Sequence, residues 1–327
     1  MPQPGSKDLI IAGPLANVSI AYRNQSYIAD RVFPIIPNVS PKAKIARYLK
    51  GAWFRDEAGI RGPGSRANRG GYPIDYLSIA TVEYAFAKEV TDEDRRFAGN
   101  PAQGEPPLKP DQDAIEFVSD KIDLKKERVV ASKILTGTWS GVAGEDAAGL
   151  WAAGSGNTFL ADVRARVETI RSNTGFKPNV LMIDFGTYNS LKEEDTILQK
   201  IKYVERGVLT KELLAVLLEL DEVIIGEAIY STAKEKKDST DFTAQNIWEK
   251  NAGKGSSFLF YRPTSVGLKT PSAGYQARVN YENGMPRRTT TWREAAEHQD
   301  VYEVAEETDI VVTGADLGFL WVDTLLT

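Results

Sequence analysis

An α+β fold whose parts reach beyond a self-contained core is what this sequence predicts, on three observations. A Pro-rich opening segment carries many apolar anchors without sustained periodicity, a long helix stands alone after a Pro- and Gly-rich break, and the middle of the chain alternates helices with short apolar strands. The 327 residues suffice for one large domain or two of roughly 150 residues each. Apolar residues are 42% and charged residues 26%, and 40 Lys+Arg against 45 Asp+Glu leave a formal net charge of -5, which disfavours both disorder and a globally basic nucleic-acid binder.

Residues 1–43 hold Pro2, Pro4, Pro14, Pro34, Pro37 and Pro41. Repeated Pro removes backbone donors and favours extended chain, so this stretch reads as an arm that docks through Ile20, Tyr22, Tyr27, Ile28, Val32, Phe33 and Ile35. Its opening has one Lys, an acidic Asp8 and a short apolar run broken by Gly13 and Pro14, a poor secretory signal. The longest strongly apolar stretch, Leu213 to Leu218, is six residues, against about 18 for a spanning helix, so the expectation is a soluble, cytoplasmic product with no membrane partner.

Two strands then flank a flexible tip. KIARYLKGAWF (44–54) is the first, and the second runs from Ile74 to Val90 with Val82, Tyr84, Phe86, Lys88 and Val90 in period two. Between them DEAGIRGPGSRANRGG is too rich in Gly for regular structure, and its Arg61, Arg66 and Arg69 predict a projecting basic tip. These arginines suit salt bridges to a neighbouring subunit better than phosphate binding.

FAGNPAQGEPPLKP (97–110) breaks the chain before a helix over 111–136, with Asp113 and Glu116 spaced as a capping box and Asp111 as the alternative cap. At 1.5 Å per residue it is about 38 Å long. Ile115, Val118, Ile122 and Val129 form its apolar stripe, and the stripe is too short for a coiled coil. A helix from Thr158 to Arg171 ends at Asn173 and Gly175, then come the strand NVLMIDF, helices near 188–204 and 210–220, and the strand EVIIGEAIY. The polar stretch STAKEKKDSTDFTAQNIWEKNAGKGS reads as an exposed loop before the strand SFLFYRP. The remainder is strand-rich, with a turn signal at Asn283-Gly284 and apolar strands DIVVT and LGFLWV expected in the sheet beneath the long helix.

Chemistry is scarce. No cysteine means no disulfide, thiolate metal site or thiol nucleophile, and one histidine, His298, precludes a His cluster and leaves a single candidate triad base on a polar surface. NAGKGSS has Gly255 where a phosphate loop requires Ser or Thr, and GSGNTF has Phe159 in the third glycine position of a dinucleotide fingerprint. The acids at 92–94, 193–195 and 306–307 lack calcium-loop spacing and read as solvated faces. No catalytic, metal or cofactor residue is therefore assigned. A hydrolase using carboxylates from distant segments stays open as a minor reading.

Four runs in order, VSIAYRNQSYIADRVFPIIP, FRDEAGIRGPG, VEYAFAKEVTDEDR and FKPNVLMIDFGTYNSL, resemble the major capsid proteins of tailed bacteriophages, and the resemblance covers nearly the whole chain. It implies the Hong Kong 97-type capsid fold: an N-terminal arm (1–43), an extended loop (44–96), a peripheral domain with the spine helix (97–137), an axial domain (138–262) and closing peripheral strands (263–327). It further implies a subunit of an icosahedral virion capsid, assembled in the host cytoplasm, whose copies form hexamers and pentamers around double-stranded DNA touched only weakly. Scaffold, portal and decoration proteins would be further partners. Arg55, Asp56, Glu57, Arg61, Arg66 and Arg69 of the loop and Tyr22, Tyr27, Val32 and Phe33 of the arm would contact neighbouring subunits. Some relatives cross-link Lys to Asn, and Lys50 and Lys88 lie in the loop, but no motif marks a partner Asn. An encapsulin-type shell enclosing a protein cargo is the alternative within the same fold.

Overall fold

The computed structural model describes residues 23–96, 98, 108–154, 156–201, 209–234, 241–267, 269–281 and 284–325. They fall into two compact units. One comprises Glu83–Lys125 and Asn280–Glu307 with the residues just before Ser26; the other comprises Ser26–Val82, Lys126–Val279 and Thr308–Thr327.

The larger unit is built on a sheet of β5 (Glu145–Asp146), β6 (Val180–Asp184), β7 (Glu222–Gly226), β10 (Ser256–Phe260) and β14 (Gly318–Val322), in the order β5-β14-β10-β6-β7. β6 and β7 run parallel while β10 is antiparallel to both β6 and β14. Every residue of β6, β10 and β14 is buried, because both faces of the sheet are covered. Leu181, Ile183, Leu259, Phe319 and Trp321 point to the side of α5 (Phe159–Thr174), α6 (Phe185–Lys192), α7 (Asp195–Ile201) and α8 (Lys211–Leu218), where Trp151 meets Phe159 at 4.9 Å and Trp321 at 5.0 Å. The alternate residues Phe258 and Phe260 join Trp139 and Phe33 on the other side, with Trp139 4.6 Å from Phe258. Local signals place the helices: the Asp184 and Thr210 side chains accept from Thr187 N and Leu213 N, and Gly175 closes α5 in the left-handed region at φ 76°.

The same unit holds α1 (Ala29–Val32), β1 (Ile35–Ile36) and a two-stranded ribbon of β2 (Lys42–Tyr48) and β3 (Ile74–Ala80), with α2 (Lys50–Trp53) after β2. β1 pairs in parallel with β11 (Gly274–Arg278), and β11 pairs with residues 308–312 of β13 (Gln299–Val312). Ile79, Ala277 and Val311 form a small core with Val39, Ala43, Ile45 and Leu77 around it. A second ribbon joins β8 (Ile229–Ser231) to β9 (Ala244–Asn246).

The smaller unit contains β4 (Val82–Thr91), α3 (Asp92–Arg96), most of α4 (Pro110–Leu135), β12 (Arg288–Glu294) and the first part of β13. β4 and β12 both pair with β13. Among the described residues its apolar cluster comprises Val118, Ile122 and Val304, and ion pairs add to it. Arg95 reaches Asp111 at 2.7 Å and Asp300 at 2.6 Å, Arg293 reaches Asp92 at 2.5 Å, and Arg287 reaches Glu306 at 2.8 Å.

Several sequence expectations are corrected. The first hairpin strand stops at Tyr48, and Trp53 and Phe54 lie in and just after α2 rather than in a strand. The stretch 74–90 is two strands divided at Thr81, β3 pairing with β2 and β4 with β13. The helix expected over 188–204 divides into α6 and α7, and EVIIGEAIY into β7 and β8. The polar stretch after it is not all exposed: Ile247 and Trp248 are buried, because two apolar residues suffice to fold a charged segment back onto a core. LGFLWV lies in the sheet with β10, apart from the sheet that holds DIVVT. The stripe on α4 also differs, since Ile115 is exposed while Ala114, Val118 and Ile122, then Val130, Ala131 and Ile134, are buried. Asn283 lies outside the described residues; Gly284 has φ 70° and donates to Tyr281 O at 2.7 Å.

Candidate assembly surfaces

The extended hairpin has a fixed root and an exposed tip. The seven-pair β2–β3 ribbon supplies the root, and every residue from Trp53 to Ile74 is exposed. Gly and Pro at 59, 62, 63, 64, 70 and 71 deny the tip any regular ladder, so it keeps only local bonds. Arg61 Nε donates to Ser65 O at 2.8 Å, Ser65 Oγ to Gly62 O at 2.8 Å, and Arg55 lies 3.8 Å from Glu57. Arg66 and Arg69 have no ion-pair partner among the described residues, and Asp56 is exposed beside them. Four arginines against Asp56 and Glu57 make the tip basic on a net-acidic chain. Trp53, Phe54, Ile60, Tyr72, Ile74 and Tyr76 are exposed along the same hairpin. Lys50 is engaged within the chain, ion-paired with Asp316 and donating to Asn173 O at 3.2 Å.

The arm residues divide differently. Tyr22 lies outside the described residues and Tyr27 is half-buried. Val32 and Phe33 are fully buried in their own chain, which corrects their expected role as contacts to a neighbour. Phe33 sits 6.3 Å from Trp139 and 6.1 Å from Phe260, against Gly274, where a Cβ would come within 3.0 Å of its ring. The apolar anchors read from the sequence are real, but they dock on the chain's own sheet, because Phe33 completes a layer that would otherwise hold a cavity.

Sequence reasoning missed the residue that holds this segment. Glu127 of α4 is wholly buried and accepts from Ile28 N at 3.0 Å, Ala29 N at 2.7 Å and Trp248 Nε1 at 2.7 Å. Burial pushes its carboxyl above the ordinary glutamate value, and the three donors oppose that. Gln276 Nε2 donates to Ala29 O at 2.6 Å and to Phe33 O at 3.1 Å, Lys126 meets Asp30 at 2.5 Å, and Arg31 and Arg262 share Glu222. Within DLKKERVV nothing distinguishes Glu127 from the charged residues beside it; only the positions of its partners do.

A second buried carboxylate, Asp184, accepts from Thr187 N and Ser256 N, both at 3.0 Å, and burial raises its pKa. It caps α6 and faces Thr324 across the Thr187 hydroxyl, 2.6 Å from Thr324 Oγ1, a closed structural network. His298 is an exposed turn residue at φ 50° whose carbonyl accepts from Asp92 N. Among the described residues no group of three His, Asp or Glu could hold a metal, and no helix is long and apolar enough to cross a membrane.

This combination of arm segment, projecting hairpin, long helix and helix-covered sheet is the Hong Kong 97-type capsid fold. The capsid of cyanophage P-SCSP1u has it at a TM-score of 0.63, with 12% identity over 98% of this chain and 94% of that one. A phage-related protein from Bordetella bronchiseptica has it at 0.65, with 20% identity over 94% of both chains. The resemblance to phage major capsid proteins holds in sequence too: the chain is similar to the major capsid protein of Burkholderia phage BcepMu, 27% identical over 331 residues, covering 96% of this chain and 97% of the relative. No family model matches the sequence.

Proposed function

We propose that this chain is the structural subunit of an icosahedral phage capsid. The observation that carries the reading is the end-to-end sequence similarity to a phage major capsid protein, on a fold shared with phage capsids. In this reading residues 44–96 embrace an adjacent subunit through the basic, aromatic-rich hairpin, with Arg55, Asp56, Glu57, Arg61, Arg66 and Arg69 as its charged contacts, and Tyr27 of the N-terminal arm (1–43) is a further contact. Residues 97–137 and 263–312 supply the peripheral domain, and 138–262 together with β14 (Gly318–Val322) the axial domain that meets its copies around five- and six-fold axes. The shell is completed in the host cytoplasm with scaffold, portal and decoration proteins as partners. Its contact with packaged DNA is weak, as a net-acidic subunit requires.

The test is to express the full chain alone and examine it by electron microscopy with light scattering. Closed particles tens of nanometres across support the reading, and a chain that stays monomeric at every concentration counts against self-sufficient assembly. Deleting residues 57–72 should leave a folded subunit that closes no shell. An encapsulin from Synechococcus elongatus has the same fold at a TM-score of 0.52 and 12% identity, which keeps a cargo-enclosing shell as the second reading. Particles from the native source that hold protein instead of DNA would favour it.

A further inference from the structure

Among the described residues the ammonium of Lys269 has neither a carboxylate nor a hydrogen-bond acceptor as partner; its neighbours are aromatic rings. It lies 5.2 Å from the centre of the Tyr48 ring and 5.5 Å from that of Trp53. These rings and Tyr72 close a triangle with centroid separations of 6.0, 5.6 and 5.9 Å, drawing on both sides of the hairpin root: Tyr48 and Trp53 before the tip, Tyr72 after it. A cation over aromatic faces is held by the ring quadrupoles, and that attraction depends on its charge. The backbone supplies a second, independent observation. Lys269 has φ 61°, a left-handed conformation disfavoured for a residue with a β-carbon. The turn is braced from β11, where Tyr275 Oη donates to Thr270 O at 2.9 Å. An exposed turn with nothing to gain would relax that strain.

We propose that Lys269 is a charge-dependent latch that holds the hairpin root, through Tyr48 and Trp53, to the body of its own subunit. Beyond Phe54 the hydrogen bonds and ion pairs of the tip, residues 55–71, are internal to it among the described residues, so the direction of the tip is inherited from the root. Near the tip the other root anchors are Lys50 with Asp316 and Phe54 over Gly175, while farther from it Leu77 and Ile79 of β3 pack in the small core with Ala277 and Val311. Lys269 engages Tyr48 and Trp53, against which Tyr72 of the second side packs, so a change that removes its charge while keeping its stem, including acylation of the amine, loosens this end of the root without disturbing the core. The consequence for shell closure rests on the capsid reading; the latch itself does not.

Hydrogen exchange on the full-length chain, kept below the concentration at which particles form, tests it. Lys269→Met should speed exchange about tenfold at the amides of 48–54 and 72–76, the size of effect that two exposed cation–π contacts carry. Lys269→Arg should keep the wild-type rates there, and the amides of β6 and β10 should be unchanged in both variants. Equal root rates in wild type and Lys269→Met, Lys269→Arg loosening the root as much as Lys269→Met, or acceleration spread equally to β6 and β10 would each overturn the latch. A wild-type chain that shows the latch but builds no particles counts against the capsid reading alone.

Discussion

Replacing Glu127 with Ala removes the acceptor for three donors at once, Ile28 N, Ala29 N and Trp248 Nε1, at a fully buried site. Each buried donor left without a partner costs about 1–3 kcal/mol. Water entering the vacated space recovers part of this, so the expected loss is about 3–5 kcal/mol, the range found when one partner of a buried charged network is removed. For a chain of this size that lowers the melting temperature by roughly 6–20 °C, taking about 2–4 °C per kcal/mol. Residues 28–33 should open before the rest, because Glu127 is their buried link to α4 and its loss leaves the Lys126–Asp30 pair, whose carboxylate is exposed, and trypsin should then cut after Arg31. Glu127→Gln keeps one acceptor oxygen but turns an amino group toward the donors, so it should fall between wild type and Ala. The pH dependence has a definite sign. Burial raises the folded-state pKa above the ordinary 4.5, so the native state binds this proton more tightly than the unfolded state does. The resulting stabilisation is full below about 4.5 and is lost as pH rises through the raised folded value. Acid therefore adds stability here by neutralising a desolvated charge, and Glu127→Gln should remove that part of the pH profile. Calorimetry of the full chain across pH, with tryptic mapping at Arg31, reads both effects. An Ala variant that melts within 1 °C of wild type and keeps Arg31 protected would refute the reasoning, the threshold lying far below the worked shift.

Phe33→Ala, opening a cavity between Trp139, Phe258 and Phe260, should cost about 3–5 kcal/mol in chemical denaturation. Gly175→Ala should cost about 1–2 kcal/mol, since φ 76° is left-handed and the new Cβ would lie 3.1 Å from Phe54; hydrogen exchange should show α5 fraying at its C-terminal end. Acid should loosen the smaller unit. Hydrogen bonds from Arg293 hold the Asp92 pKa down at about 2 and those from Arg95 lower Asp111, so their contribution is present above the ordinary 3.8 and disappears as pH falls toward 2. Exchange at β12 amides should accelerate over that interval while β6 amides stay protected; equal protection of both at pH 2 would count against an ion-pair-dependent unit. Deletion of 57–72 should leave the melting temperature within about 2 °C of wild type, because loop-length changes are cheap, and only particle formation should fail.

The order of helices and strands through residues 158–226 was legible in the sequence because each element carries local chemistry: the Gly175 cap, the unbroken apolar run of β6, the Thr210 and Asp184 caps. The long helix was legible in extent because a Pro-rich break precedes it and Gly137 follows it, although Asp111 and Asp113, read as caps, lie inside its first turn. The exposed tip followed from glycines that no ladder can use. What the tip touches was not legible, since exposure states only that a surface is available. The docking of residues 28–36 shows where local reasoning stops. Apolar spacing identified Val32 and Phe33 as anchors, but their seat is assembled from Trp139, Phe258, Phe260 and Gly274, which lie more than a hundred residues away in the chain. Only the tertiary structure could decide that the seat belongs to the same chain. Likewise, DLKKERVV is an ordinary charged stretch until Ile28, Ala29 and Trp248 converge on one of its carboxylates. The sequence by itself determined the elements and the acidic, cysteine-free chemistry, because those depend on neighbours within a few residues. The tertiary structure alone decided which anchors face inward and which charges are buried, because burial is a property of distant chain segments brought together.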